Sequence, residues 1–337
     1  MSKFRWGILG PGVISHKFAE GLKVIPDAEL YAVGSRDYGR AKEFADKYGA
    51  HVAYGSYEEL AKDDNIDCIY IGTPHPMHMP NTLLCINNGR NVLCEKPMSM
   101  NKKEVQIMID LAVKKNVFLM EAFWTRFMPP IRKIIEWINQ GKIGDIRMIH
   151  CDFCYRGDYD PKSRLLDPGL GGGALLDVGC YAICMSTMLL GNNPDLITGA
   201  THLGETNVDE QSAMILRYPK GELAVLSTAV RTNTYQNLYI FGTNGSITVP
   251  VFWNSSKATL FEEGKEPVYF EERIGNGYNY EAVATMEDIR AGKIENGFMT
   301  HADSLAIAEI SDKLRNDWGL KYPADDEQSI SWFDDIR

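Results

Sequence analysis

Apolar residues in the first 120 or so positions fall into two alternating patterns. Short runs such as Phe4–Leu9 and Asp67–Ile71 are apolar almost throughout, as strands buried on both faces are. Between them the apolar positions recur at helical spacing: Ile14, Phe18 and Leu22, then Ala41, Phe44 and Tyr48. The pattern predicts strands at Phe4–Leu9, Glu29–Ser35, His51–Tyr54, Asp67–Ile71, Asn91–Cys94 and Val117–Met120. It predicts helices over Val13–Val24, ended by Pro26, and over Arg40–Tyr48. Ser56 and Glu59 form a capping box for a short helix. Pro80 suits the first turn of a helix that ends near Gly89. Asn101 and Glu104 cap another that runs to Lys115. Strands alternating with helices predict an α/β class, with a doubly wound parallel sheet.

After Glu121 the pattern changes. A helix runs from Pro129-Pro130 to Gln140, and a strand spans Asp145–Phe153. Residues 154–170 are polar and loop-like. Gly171-Gly172-Gly173 then leads into an apolar helix, Ala174–Leu190. From Leu196 to Phe270 short strands follow one another, with turn signals at Pro219-Lys220-Gly221, Thr243-Asn244-Gly245 and Glu263-Gly264-Lys265. Such a succession predicts an open, mostly antiparallel sheet. Helices over Tyr280–Ala291 and His301–Trp318 close the chain. The expected domains are residues 1–122, holding the doubly wound parallel sheet, and 123–337, an α+β domain.

Bulk composition narrows the class. A chain of 337 residues with 45% hydrophobic and 24% charged residues has the make-up of a soluble globular protein. Its net charge of −10, with no basic stripe, argues against a nucleic-acid partner. No apolar run approaches membrane-spanning length, and no signal-peptide pattern is seen, so a cytoplasmic protein with no membrane partner is expected. Cys151 and Cys154 have C-x-x-C spacing, but on a strand an odd separation points them to opposite faces. Inert thiols and no metal site are expected.

The glycine turn after the first strand carries the first chemistry. Gly10 and Gly12 fill the first two places of G-x-G-x-x-G, Val13 and Ile14 enter the helix, and Ser15 stands in the third place. The first glycine permits a tight turn, and the second lets a pyrophosphate approach the backbone. The helix N-terminus offers N–H groups to phosphate. The second strand ends in Ser35-Arg36 rather than an acid. A guanidinium there can pair with a 2′-phosphate, which favours NADP, with NAD as the alternative. Thr73-Pro74-His75-Pro76-Met77-His78 follows the fourth strand, where a cofactor-lining loop is expected, with Thr73, Pro74 and His78 against the cofactor. Glu95-Lys96-Pro97 follows the fifth. A lysine at that strand end, next to a nicotinamide, can donate to the substrate oxygen and stabilise the developing alkoxide.

Gly10-Pro11-Gly12, Thr73-Pro74, Glu95-Lys96-Pro97 and the run from Gly172 through Asp177 and Gly179 to Tyr181, in this order, resemble the Gfo/Idh/MocA oxidoreductase family over essentially the whole chain. The resemblance implies that Lys96 is the catalytic lysine, that Glu95 shapes the cofactor loop and that the bond before Pro97 is cis. It also implies homodimers or homotetramers packed through the open sheet, whose strands carry Leu223, Val225, Leu238, Ile240, Val249 and Phe252. Many members have Asp-x-Gly-x-His where this chain has Asp177 and Tyr181; one branch shares the tyrosine.

Asp177 and Tyr181 stand four apart on an apolar helix and so share a face, as a pocket wall would. A tyrosine base needs its pKa lowered from about 10, which a neighbouring Lys96 ammonium would do. Lys96 and Tyr181 both stay open as proton acceptor, with Asp177 beside them as a catalytic candidate. Trp124 and Arg126 follow the last Rossmann strand, where a pocket is expected; Trp124 suits stacking or a core position equally. Arg147 and Phe153 are further candidates for the substrate pocket wall. The expected activity is hydride transfer between a nicotinamide and a carbinol carbon of a sugar, polyol, cyclitol or cyclic vicinal diol. The alternatives are an NAD-linked inositol or sugar-3-dehydrogenase, and a non-catalytic NADP-sensing regulator.

Overall fold

A computed structural model describes residues 3–326. The first part of the chain builds β1 (Phe4–Leu9), α1 (Val13–Leu22), β2 (Ala28–Gly34), α2 (Tyr38–Tyr48), β3 (Val52–Tyr54), α3 (Tyr57–Ala61), β4 (Cys68–Ile71), α4 (His78–Asn87), β5 (Asn91–Glu95), α5 (Lys102–Lys115) and β6 (Leu119–Ala122). The strands form a parallel sheet in the order β3-β2-β1-β4-β5-β6. Strand order reverses between β1 and β4, and a crevice opens at the carboxyl ends of strands at such a point. Cys68, Ile69, Tyr70 and Ile71 are all fully buried, because helices cover both faces. Phe18 of α1 stacks on Tyr70 at 3.9 Å and meets Trp6 edge-on at 5.0 Å. The capping box at α3 is offset: Ser56 accepts the Glu59 N–H, while Glu59 reaches the N–H of Gly55.

The rest of the chain builds α6 (Pro129–Asn139), β7 (Ile146–Cys154), α7 (Cys180–Leu190), β8 (Leu196–Leu203), β9 (Asp209–Arg217), β10 (Leu223–Ala229), β11 (Leu238–Gly242), β12 (Gly245–Val249), β13 (Lys257–Glu262), β14 (Val268–Glu271), α8 (Tyr278–Arg290) and α9 (His301–Trp318). The second sheet runs β14-β13-β12-β11-β7-β10-β9-β8. It is antiparallel except where β10 lies parallel to β7. A parallel pair needs a long crossover, and the connection through α7, β8 and β9 supplies it. One face of this sheet packs on α6 and α7. The apolar stretch 168–190 corrects one expectation. It is long and apolar enough to cross a membrane, yet most of it is buried within the protein, as the core helix of a globular unit is. Within it a π-helix over Leu175–Gly179 leads into α7.

Alternation along the strands corrects a second expectation. Leu238, Ile240, Val249 and Phe252 are fully buried. Leu238, Ile240 and Val249 point to the helix-covered face, Phe252 lies in a short turn beyond β12, and none is offered to a partner. The other face exposes Ile215, Val225, Phe241 and Phe261, each about two-fifths exposed (43%, 40%, 38% and 41%). Ile215 lies opposite Val225, Val225 opposite His150, and His150 opposite Tyr239, so these residues form one stripe across the strands.

The chain divides into two compact units that differ from the linear division at residue 122. Among the described residues, 3–99, 103–127 and 273–304 form one; 100–102, 128–272 and 305–326 form the other. Thus α8 returns to pack on α1. Asn276 donates to the Lys17 carbonyl at 2.7 Å, Arg290 pairs with Asp27 at 2.6 Å, and the Leu119 N–H donates to the Ile294 carbonyl at 3.0 Å. Helical periodicity identifies α8 but not its packing partner. The ends of the expected domains, 1–2 and 327–337, lie outside the described residues.

Candidate active site

In the first unit, β1 leads into a turn shaped for close approach. Gly10 has φ +87° and donates to the Gly34 carbonyl at 3.0 Å. A Cβ at this position would fall 2.7 Å from Thr73 Cγ2, so no other residue fits without displacement. Gly12 heads α1 in extended conformation, with no side chain capping the helix and no acid in its first turn. The N–H groups at its head are left for an anion, where the helix dipole favours one. Val13, 85% exposed, and Ile14 follow directly. Ser15 is buried and donates to the Gly10 carbonyl at 2.6 Å. The tight helix–strand packing expected of a third glycine is met from the other side by Gly72, where a Cβ would lie 2.3 Å from Ser15 Oγ. These residues fit a dinucleotide pyrophosphate.

At the end of β2, Ser35 is buried and accepts the Asp37 N–H at 3.2 Å. The Asp37 carboxylate caps α2 by accepting the Arg40 N–H at 3.2 Å. The nearest acid is therefore engaged in capping, and Arg36 stands exposed beside it.

The loops after β4 and β5 are joined by one ring. His78 is fully buried, with Nε2 2.8 Å from the Thr73 carbonyl and Nδ1 2.7 Å from the Pro97 carbonyl. Burial pushes its pKa down to about 4, so near neutral pH it donates to one carbonyl at a time. His78 thus ties Thr73-Pro74 to the Lys96 loop and reaches a cofactor only through them. The Lys96–Pro97 bond is cis. Glu95 is buried and accepts from the Tyr70 hydroxyl and, at 3.1 Å, from the backbone N–H of Lys96. The half-buried lysine so leaves the strand end with its main chain held from below.

Trp124 takes the core position that the sequence allowed equally with stacking, and Arg126 is more enclosed than the sequence suggested. Trp124 is buried and stacks on Tyr278 at 4.5 Å. Arg126 is buried, 3.4 Å from Asp303 and 3.2 Å from Met299 Sδ. The Arg126 guanidinium is thus paired with a carboxylate of its own unit. Beside it Glu121 accepts the Met98 N–H at 2.7 Å, and burial raises its carboxyl to about 7.

In the second unit, the π-helix presents Asp177. Its carboxylate accepts from the Tyr155 hydroxyl at 2.6 Å and from Arg164 Nη1 at 2.9 Å. Burial and the Asp177 charge hold the Tyr155 phenol well above its ordinary range. Tyr181 follows on α7, buried, meeting Phe153 edge-on with ring centroids 5.3 Å apart. Arg147, also assigned to the pocket wall, does not belong there. It lies six residues before Phe153 on β7, roughly 20 Å away at strand rise, exposed and 3.6 Å from Asp145. Tyr155, Arg164 and Tyr70 were missed in the sequence. Only Tyr70 carried a signal, as the one phenol in a wholly buried strand. All seven cysteines are buried thiols.

A parallel dinucleotide sheet with a glycine turn after β1 and a lysine at the end of β5 defines an NAD(P)-dependent oxidoreductase. Residues 4–123 match the model of the oxidoreductase family with an NAD-binding Rossmann fold, and residues 131–248 match the Gfo/Idh/MocA C-terminal domain. The chain belongs to the Gfo/Idh/MocA oxidoreductase family. Over 95% of its length it is 40% identical to a trans-1,2-dihydrobenzene-1,2-diol dehydrogenase from Xenopus tropicalis, with 99% of that protein covered. It is 37% identical to the mouse protein of the same name, covering 95% of this chain and 98% of that one. Among solved structures, a 3-ketoreductase from Actinomadura kijaniata with NADP and TDP-benzene superposes with a TM-score of 0.82 at 22% identity, covering 94% of this chain and 98% of that one. Levoglucosan dehydrogenase in complex with NADH does so with a TM-score of 0.84 at 21% identity, covering 94% and 96%.

Proposed function

We propose that this oxidoreductase is an NADP-preferring dehydrogenase acting on a carbinol carbon of a cyclic vicinal diol or a sugar. The observation that carries the reading is Glu95-Lys96-Pro97 at the end of β5, in a chain 35–41% identical to dihydrodiol dehydrogenases over nearly all its length. The nicotinamide, when bound, supplies the hydride acceptor or donor. Gly10, Gly12 and the head of α1 hold its pyrophosphate. Ser35 and Arg36 hold the adenosine 2′-phosphate, since Asp37 is spent on capping α2. Lys96 donates a hydrogen bond to the substrate oxygen and carries the positive charge that steadies the developing alkoxide. Glu95 fixes the lysine's main chain. Lys96 and Tyr181 are the two candidates for the group that takes the alcohol's proton. Asp177, held by Tyr155 and Arg164, orients rather than transfers.

A cytoplasmic homo-oligomer is part of this reading. The buried thiols suit a reducing compartment, and the exposed stripe on the second sheet suits a second copy of the chain.

The test is turnover of a panel of cyclic diols, aldoses and inositol with each cofactor. NADP-dependent oxidation of a diol or aldose supports the reading. Lys96→Met then lowers kcat by at least 100-fold, within the range for a lost proton-transfer or oxyanion partner, while NADPH still binds. Inositol oxidation with NAD overturns the substrate and cofactor assignment. NADPH binding without any turnover points to a sensing protein instead.

A further inference from the structure

Gly171-Gly172-Gly173 and the π-helix after it are held by side chains from elsewhere in the second unit. Asp209, at the start of β9, accepts the backbone N–H of Leu175 at 2.6 Å. Thr228, on β10, donates to the Ala174 carbonyl at 3.1 Å. The Tyr322 hydroxyl, beyond α9, donates to the Gly172 carbonyl at 2.6 Å. Asp209, Thr228 and Tyr322 are all buried.

The contact with Asp209 also explains a glycine. Gly173 has φ +113°, and a Cβ there would lie 2.2 Å from Asp209 Oδ1 and 3.0 Å from the Tyr322 hydroxyl. Oδ1 itself makes no hydrogen bond among the described residues. A carboxylate buried at this cost is not needed to end or begin an ordinary helix, which water or a serine would serve. It stands two residues ahead of Asp177, at the point where the backbone takes up the wider π turn. Such turns are seldom stable without specific support and recur at functional sites.

We propose that Asp209 is a positioning residue for the reaction, setting the first turn of the helix that carries Asp177 and Tyr181, with Thr228 and Tyr322 as its auxiliaries. The inference rests on the reading that Asp177 and Tyr181 serve the reaction. Asp209 touches neither; it acts through the Leu175 N–H. Its loss strands a buried donor at the head of the π turn and frees the turn to tighten toward α-helix, which rotates Asp177 away from Arg164 and Tyr155 and shifts Tyr181.

Asp209→Ala and Asp209→Asn are compared with the unaltered chain for kcat, KM, NADPH affinity by fluorescence and melting temperature. Asp209→Ala lowers kcat tenfold or more with NADPH affinity unchanged. Asp209→Asn, whose amide oxygen accepts the same N–H, restores most of that kcat. A folded Asp209→Ala with kcat near that of the unaltered chain overturns the proposal. So does an Asp209→Asn as impaired as the alanine variant. If Asp209→Ala does not fold, Tyr322→Phe decides: a several-fold drop in kcat at unchanged NADPH affinity supports the brace, and an unchanged kcat overturns it. If the unaltered chain turns over no diol or sugar, it is the functional reading that fails.

Discussion

Tyr181 is a single phenol whose role a single atom tests. Tyr181→Phe keeps the edge-on contact with Phe153 and removes only the hydroxyl. As proton acceptor, Tyr181 makes its interaction in the transition state, so the variant lowers kcat and kcat/KM together. The alkaline-side ionisation also disappears from the pH profile. An unshifted profile with full kcat would leave Lys96 to act alone. Arg36 is tested the same way. Arg36→Ala weakens NADP by about 1.5–3 kcal/mol, a charged hydrogen bond's worth, and NAD far less; titration with both cofactors reads the difference, and equal losses would contradict the 2′-phosphate assignment. These residues were legible because their meaning is local. A glycine turn, a strand-end arginine and a Glu-Lys-Pro run each announce themselves within a few positions. Tyr155 and Arg164 were not legible. They lie in or beside a polar loop without period, and only the fold brings them to Asp177.

Strands and helices were nearly all legible in outline, since periods of 2 and 3.6 are written directly in the side chains. Which face of a strand is covered was not. Leu238 and Ile240 alternate as any half-buried strand does, and alternation names two faces without saying which meets α6 and α7. The face that remains carries Ile215, Val225, Phe241 and Phe261. An oligomer packed through that face is broken by a charge placed in its middle. Val225→Asp, with neighbours Ile215 and His150 on either side, is expected to shift the sedimentation coefficient to that of a monomer at micromolar concentration. A monomeric unaltered chain, or an oligomer that survives the substitution, would exclude this interface.

Across the molecule, buried carboxyl groups link folding to pH. Burial raises Glu121 from an ordinary 4.5 to about 7, and Asp209 from 3.8 to about 7. Glu281, with neither carboxylate oxygen hydrogen-bonded among the described residues, is also raised. A raised acid holds its proton in the folded state at pH values where the unfolded chain has released it. For Glu121 and Asp209 stability therefore falls as pH rises from about 4 to about 7, and Glu281 contributes with the same sign. The melting temperature is expected to drop between pH 5 and pH 8, and to drop less in Glu121→Gln. An equal drop in both proteins would remove Glu121 from the account.

By itself the sequence determined the order and kind of the elements, the dinucleotide turn, the strand-end lysine and the family. All of these rest on periodicity or on motifs a few residues long. Tertiary structure decided the rest. It returned α8 to the first unit, turned Leu238 and Ile240 inward, placed Arg147 far along β7 from Phe153, and set Asp209 against Gly173 and Leu175. The physical reason is common to these cases. Propensity and hydrophobic period are properties of neighbours along the chain, whereas burial, pairing and the fate of a buried charge depend on which distant segment arrives to meet them.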